Sequence, residues 1–167
     1  MDTWVYILIV VITFFIMEGV AWFTHKYVMH GFFWNLHEDH HFPSHQKRTS
    51  FFEKNDWFFV IFAVPAMLGF ILGSLFANTL LLSIAIGITL YGFAYFIFHE
   101  VVFHRRVKWL KGWKPTYVRS VILAHSMHHR HHSPADGECF GMLVFPYKYF
   151  IAEVNKKRER EKQKNME

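Results

Sequence analysis

A single cysteine, Cys139, occurs in 167 residues, which excludes an intramolecular disulfide framework and any cysteine-ligated iron–sulfur or zinc-ribbon centre. Glycine is sparse, and no G-x-G-x-x-G loop is present, so the usual phosphate cradle of a flavin or nicotinamide enzyme is missing. Charge is missing from three long runs: residues 4–23, 57–76 and 79–98 contain Glu18 and no other charged side chain. Lysine and arginine are absent from residues 1–23 and from the 77–78 turn. The first run also lacks the basic start and small-residue cleavage site of a signal peptide, and it leads straight into His25, so it is expected to be a retained helix.

Hydrophobic residues make up 53% of the chain and aromatic residues 20%, above the usual apolar share of a soluble domain. Each uncharged run is long enough to cross roughly 30 Å of hydrocarbon as a helix. The expected fold is an all-α integral membrane protein with about three transmembrane helices, plus cytoplasmic helices. All 18 Lys and Arg lie in residues 24–56 and 99–167, which the positive-inside rule puts on the cytoplasmic side. The net charge of +5 is then explained by topology and anionic headgroups, and no nucleic-acid motif accompanies it. Residues 139–151 are too short for a fourth span and contain Pro146 and Lys148, so they read as a re-entrant or interfacial segment. Residues 1–152 form the expected membrane-embedded domain and 153–167 a charged cytoplasmic tail.

Ten of the thirteen histidines fall into four boxes: His25/His30, His37/His40/His41, His99/His104 and His125/His128/His129. Imidazole is the commonest protein ligand for transition metals, and ten are more than one tetrahedral ion uses, so two metal ions are expected. A compositional tract that merely adsorbs metal is the bland alternative; the regular recurrence of the boxes argues against it. With the N-terminus outside, three spans bring all four boxes to one side of the membrane, a result that span lengths and charge give without using the histidines. In an α-helix residues i, i+3 and i+4 share a face, so His37/His40/His41 and His125/His128/His129 should be helical. Residues five apart point about 140° from one another at about 100° per residue. A bulged or unwound turn is therefore expected at His25/His30 and at His99/His104, as π-bulges provide at functional sites. Gly31, directly after His30, fits a break there.

Glu18 lies two turns before His25 on nearly the same face, and a carboxylate at that depth is a functional candidate, with a structural contact between helices as the alternative. Glu38, Asp39, Glu100, Asp136 and Glu138 adjoin the boxes and could orient imidazole N–H groups, although a solvated charge is the commoner role. His45, His131 and His132 are left outside the pattern. Gly69 and Gly73 read as helix packing.

A histidine dimetal site could hydrolyse, transport or oxidise. Zinc hydrolysis wants a general-base carboxylate in an H-E-x-x-H arrangement, which the boxes are not expected to supply, and transport wants ionisable groups at the bilayer midplane, whereas these ligands gather at one end. Oxygen chemistry at iron is favoured, with an apolar substrate arriving from the lipid and electrons from outside. The paired Glu-x-x-His motifs of soluble carboxylate di-iron proteins are not present as a pair.

Met17-Glu18-Gly19-Val20-Ala21-Trp22-Phe23-Thr24-His25-Lys26-Tyr27-Val28-Met29-His30-Gly31, Leu36-His37-Glu38-Asp39-His40-His41, the join from Tyr91 to Glu100, Ala124-His125-Ser126-Met127-His128-His129 and Gly137-Glu138-Cys139-Phe140-Gly141 resemble the bacterial β-carotene hydroxylases, within the fatty-acid hydroxylase superfamily of membrane di-iron oxygenases. The resemblance covers roughly residues 4–150. It implies two iron ions held by all ten box histidines and dioxygen as co-substrate. It further implies hydroxylation of carbon 3 of each β-ionone ring, giving β-cryptoxanthin and zeaxanthin, with two electrons per step from a ferredoxin-type donor and its reductase. Glu18 falls on a position of the family pattern without an assigned role. The location implied is the bacterial cytoplasmic membrane with the metals on the cytoplasmic side. Two alternatives stay open: a hydroxylase, desaturase or ketolase of the same superfamily acting on another lipid, and a membrane metal-binding or transport protein without redox chemistry.

Overall fold

The structure is a computed structural model that describes residues 2–41, 52–104, 112, 114–131, 135 and 137–166. Those residues form helices joined by turns, with no strand among them. Helix α1 covers Thr3–Phe23, α2 Trp34–His41, α3 Asp56–Leu75, α4 Thr79–Phe96, α5 Thr116–His128 and α6 Tyr147–Lys164. Two segments of widened, π-type turn continue the long helices: Thr24–Phe32 follows α1, and Ile97–Phe103 follows α4. The continuous stretches Thr3–Phe32, Asp56–Leu75 and Thr79–Phe103 are long and apolar enough to cross a membrane. The expected three spans are present, and apolar side chains such as Leu8, Phe15, Leu72 and Leu75 are exposed along them, as lipid-facing residues are.

Helix α4 lies between α1 and α3 and packs against both. Small residues make the approach possible, since packing rather than water exclusion drives association in lipid. A Cβ on Gly87 would stand 2.6 Å from Thr13 Cβ, one on Gly69 3.0 Å from Ala85 Cβ, and one on Gly73 2.9 Å from Leu82. The expected packing role of Gly69 and Gly73 is thus observed. Helices α5 and α6 pack together beyond the spans, around a small core of Ala124, Cys139 and Tyr149. Of the expected re-entrant segment, residues 139–146 are non-helical and Tyr147 begins α6, whose polar end continues helical to Lys164.

Candidate metal centre

The four boxes converge at one end of the three spans, although the polypeptide between His25 and His128 traverses the fold twice. The two H-x4-H boxes sit on the widened turns. The backbone N–H of His104 donates to the carbonyl of His99 at 3.0 Å, and that of Phe33 to Val28 at 2.9 Å. These are i→i+5 bonds, which bring residues five apart onto one face where a regular helix would splay them. Gly31 leaves helical φ/ψ immediately after His30, the break its position suggested. The other two boxes are carried by α2 and by the last turn of α5, with His129 just beyond the final helical residue.

The imidazoles divide into two groups. His25, His30, His37, His41 and His128 have ligand nitrogens within 4.8 Å of one another, and so do His40, His99, His104 and His125. Each three-histidine box is therefore shared: α2 sends His37 and His41 to one group and His40 to the other, and α5 divides His128 from His125. His129 belongs to neither set by this measure, but its Nε2 is 2.9 Å from His125 Nε2 and its ring lies 4.6 Å from that of His41, between the groups. His131 lies outside both groups, and His45 and His132 fall outside the described residues.

The donor chemistry fits bound metal. His25 Nδ1 donates to the Phe140 carbonyl at 3.0 Å, His37 Nδ1 to Asn55 Oδ1 at 2.7 Å, His99 Nδ1 to Glu100 Oε1 at 2.6 Å and His128 Nδ1 to the Glu138 carbonyl at 3.2 Å. A neutral imidazole has one N–H, so these four rings present lone pairs at Nε2. The Nε2 atoms of His25 and His37 nevertheless face each other at 3.0 Å. Two lone pairs do not hydrogen-bond; a cation between them resolves the contact. Protonation does not supply it, because burial and the neighbouring imidazoles push His128 down to about 2, and burial above all pushes His37 down to about 3. Burial likewise holds His40 and His125 well below the usual imidazole range. The Nε2 separations His30–His128 at 3.2 Å, His40–His99 at 3.0 Å and His104–His125 at 3.0 Å match neighbouring ligands that each stand about 2.1 Å from a shared ion. Stacking fixes two ring planes: Tyr95 lies 4.9 Å from His99 and Phe103 4.5 Å from His125, both nearly parallel.

Glu18 touches none of these rings. Its Oε1 accepts from the backbone N–H of Met142, Leu143 and Val144 at 2.8–2.9 Å, and its Oε2 accepts from Tyr91 Oη at 2.7 Å. Non-helical backbone at membrane depth needs partners inside the protein, and this buried carboxylate supplies them. It thereby holds the segment whose Phe140 and Glu138 carbonyls orient His25 and His128. Between those two residues Cys139 adopts a left-handed backbone, φ 61°, which turns the chain between the two accepting carbonyls.

Among the acidic candidates, Glu100 contacts a ring directly, while the Glu138 carboxylate pairs with Lys148 and Tyr149 and only its carbonyl reaches His128. Asp39 accepts from the Lys54 N–H at 2.9 Å, steadying the turn that presents Asn55. Asp136 lies outside the described residues. Contrary to the expectation that the boxes supply no H-E-x-x-H arrangement, His37-Glu38-Asp39-His40-His41 satisfies its letters, so the case against hydrolysis rests on placement: Glu38 is exposed while the histidines beside it are buried. Asn55 was not foreseen, having no box neighbour in sequence; its position just before an apolar run was the only signal.

A cavity of about 590 Å³ opens beside this centre, lined mainly by apolar side chains of α1, α3 and α4, with His25, Glu100 and Phe140 at the metal end and Ile71 and Ile88 at the other.

A family model described as fatty acid hydroxylase matches residues 10–149, a span that contains Glu18 and all ten box histidines. The chain is 41% identical to a β-carotene hydroxylase of Pseudescherichia vulneris over 125 residues, covering 73% of this chain and 66% of that protein. It is 37% identical to a β-carotene hydroxylase of Pantoea ananas over 83% of this chain and 77% of the relative. A β-carotene hydroxylase of Paracoccus sp. (strain N81106 / MBIC 01143) is 34% identical over 83% of each chain. No solved structure matches the chain.

Proposed function

The chain belongs to the fatty acid hydroxylase family, and from that premise we propose that it is a membrane di-iron monooxygenase of β-carotene. On this reading it hydroxylates carbon 3 of the β-ionone rings to give β-cryptoxanthin and then zeaxanthin. The observation that carries the reading is the pair of adjoining imidazole groups, with Nε2 lone pairs facing each other, at one end of an elongated apolar cavity. Similarity to three bacterial β-carotene hydroxylases supports the substrate.

His25, His30, His37, His41 and His128 would hold one ion and His40, His99, His104 and His125 the other, with His129 completing the set of ten between them. When bound, two iron ions would supply the reduction of dioxygen that puts one oxygen atom into a C–H bond and releases the other as water, using two electrons delivered singly by an external donor and two protons from solvent. Everything else falls to the chain. The cavity takes the ring and polyene from the hydrocarbon without a polar penalty, and its Phe58, Phe59, Phe96 and Met142 walls keep water from the reacting carbon. The Phe140, Glu138 and Asn55 oxygens and the Glu100 carboxylate hold the Nδ1 protons of His25, His128, His37 and His99 in place, so that these four rings offer Nε2 inward. A ferredoxin-type donor with its reductase fits the absence of any internal cofactor motif. The Lys and Arg distribution supports the bacterial cytoplasmic membrane with the centre on its cytoplasmic side, and residues 1–152 as the working unit ahead of the charged tail.

The test is pigment analysis by chromatography and mass spectrometry after expression in a β-carotene-accumulating bacterium. Cryptoxanthin and zeaxanthin should appear and should be lost with His128→Ala. Unchanged β-carotene beside folded, metal-loaded protein would refute the carotenoid substrate and point to another lipid.

A further inference from the structure

Glycines in these spans serve helix contact at Gly69, Gly73 and Gly87, where an added Cβ would stand 3.0 Å or less from a neighbouring helix. Gly92 does not. A Cβ there meets nothing within 4 Å, although Gly92 lines the cavity. Ile88, Gly92 and Phe96 follow one another at i, i+4 and i+8, so they form one face of α4, and all three line the cavity. Gly92 is the middle of that face.

Its level can be read from the antiparallel pairing of α3 and α4. Gly73 meets Leu82 and Gly69 meets Ala85, while Phe59 rings lie 6.1 Å from Phe96 and 6.2 Å from Tyr95. That register sets Ala63 across from Gly92, and Ala63 also lines the cavity. Two small residues thus stand at one level of the cavity, where the neighbouring lining positions of the same two helices carry Phe59, Phe62, Ile88 and Phe96. Gly92 stands seven residues before His99, about 10 Å along the helix from that histidine. A six-membered ring seated at the metals ends short of that level, whereas a chain attached to the ring must pass between the two positions.

We propose that Gly92 and Ala63 form a passage that admits the polyene of an elongated substrate while its ring is at the metal centre. This rests on the proposed carotenoid reading and adds to it the residues that make room for a long substrate without being needed by a short ring compound. No packing need explains a glycine here, and alanine or leucine at an open helical position is favoured over glycine by intrinsic propensity. The variants should therefore fold.

The experiment compares wild type with Gly92→Ala, Gly92→Leu and Ala63→Phe in membranes supplied with reductant, using β-carotene and, separately, β-ionone, which has the same ring on a four-carbon side chain. Metal content and thermal midpoint are read in parallel. Expected are unchanged metal content, a graded loss of β-carotene conversion reaching at least about tenfold for Gly92→Leu, the scale of overpacking a filled channel, and β-ionone turnover or inhibition within about twofold of wild type. Full β-carotene conversion by Gly92→Leu overturns the passage whatever β-ionone does. Equal loss of both compounds with the metals retained also overturns it, since the ring site itself would then be disturbed. A metal-loaded wild type that converts neither compound sinks the carotenoid reading, and with it the passage.

Discussion

Replacing Glu18 separates a chemical role for this carboxylate from a positioning one. In Glu18→Leu four donors lose their acceptor together: the N–H groups of Met142, Leu143 and Val144 and the Tyr91 hydroxyl. At about 1–3 kcal/mol for each buried group left unsatisfied, the loss is roughly 4–12 kcal/mol before relaxation, comparable with the whole stability of a typical domain. Glu18→Gln keeps an acceptor oxygen for the amides but loses the charge. Three bonds weakened by about 1–1.5 kcal/mol each, partly offset because a charge no longer has to be buried, leave a cost of about 2 kcal/mol. The assay is thermal denaturation in detergent together with metal equivalents per chain. Glu18→Gln should melt a few degrees lower and bind its metals more weakly, and Glu18→Leu should lose metal, through release of the Phe140 and Glu138 carbonyls that orient His25 and His128. A Glu18→Leu protein that melts and binds metal as wild type does, yet makes no product, would refute the positioning account and assign the carboxylate to the chemistry.

Asn55→Leu should lower metal affinity by about 10–100-fold by removing the acceptor of the His37 Nδ1 proton, measured by competition with a chelator; unchanged affinity would show that the 2.7 Å contact does not matter. Glu100→Gln, which keeps an acceptor for His99, should lose less affinity than Glu100→Leu in the same measurement, and the reverse order would argue against orientation as its role. His128→Ala should abolish product while His132→Ala should be tolerated, with product analysis deciding; activity near normal in His128→Ala contradicts the ligand assignment. In metal-stripped protein, stability should fall as pH falls below about 6.5. The folded state holds His37 and His128 neutral down to about 3 and about 2 while the unfolded chain takes up both protons, giving a slope of up to about 1.4 kcal/mol per unit for each. Equal denaturant midpoints at pH 7 and pH 5 would refute that coupling.

Features legible in the sequence are those that one helix face or one window can express. Hydropathy summed over about 20 residues marks a span wherever it packs, and the three runs appear as α1, α3 and α4 with their extensions. The misfit between a spacing of five and a helical period of 3.6 is arithmetic, so the widened turns under His25/His30 and His99/His104 could be expected from numbers alone. The presence of Glu18 in an otherwise uncharged run marked it as a residue with a task, but the task itself depends on residues more than 120 positions away.

The sequence by itself therefore determined the three spans, the convergence of the histidine boxes at one end and the widened turns that carry two of them, because hydrophobicity and helical period are local properties. Only the tertiary structure decided how the boxes are shared between two groups, which oxygens fix the imidazole tautomers, and where the cavity runs. The Phe140 and Glu138 acceptors are backbone carbonyls, which every residue possesses and no letter distinguishes. The division of His37 and His41 from His40 depends on how α2 lies against the ends of α1, α4 and α5. The opposition of Gly92 and Ala63 depends on the register of two antiparallel helices, and that register exists only once Gly69 and Gly73 have closed on α4.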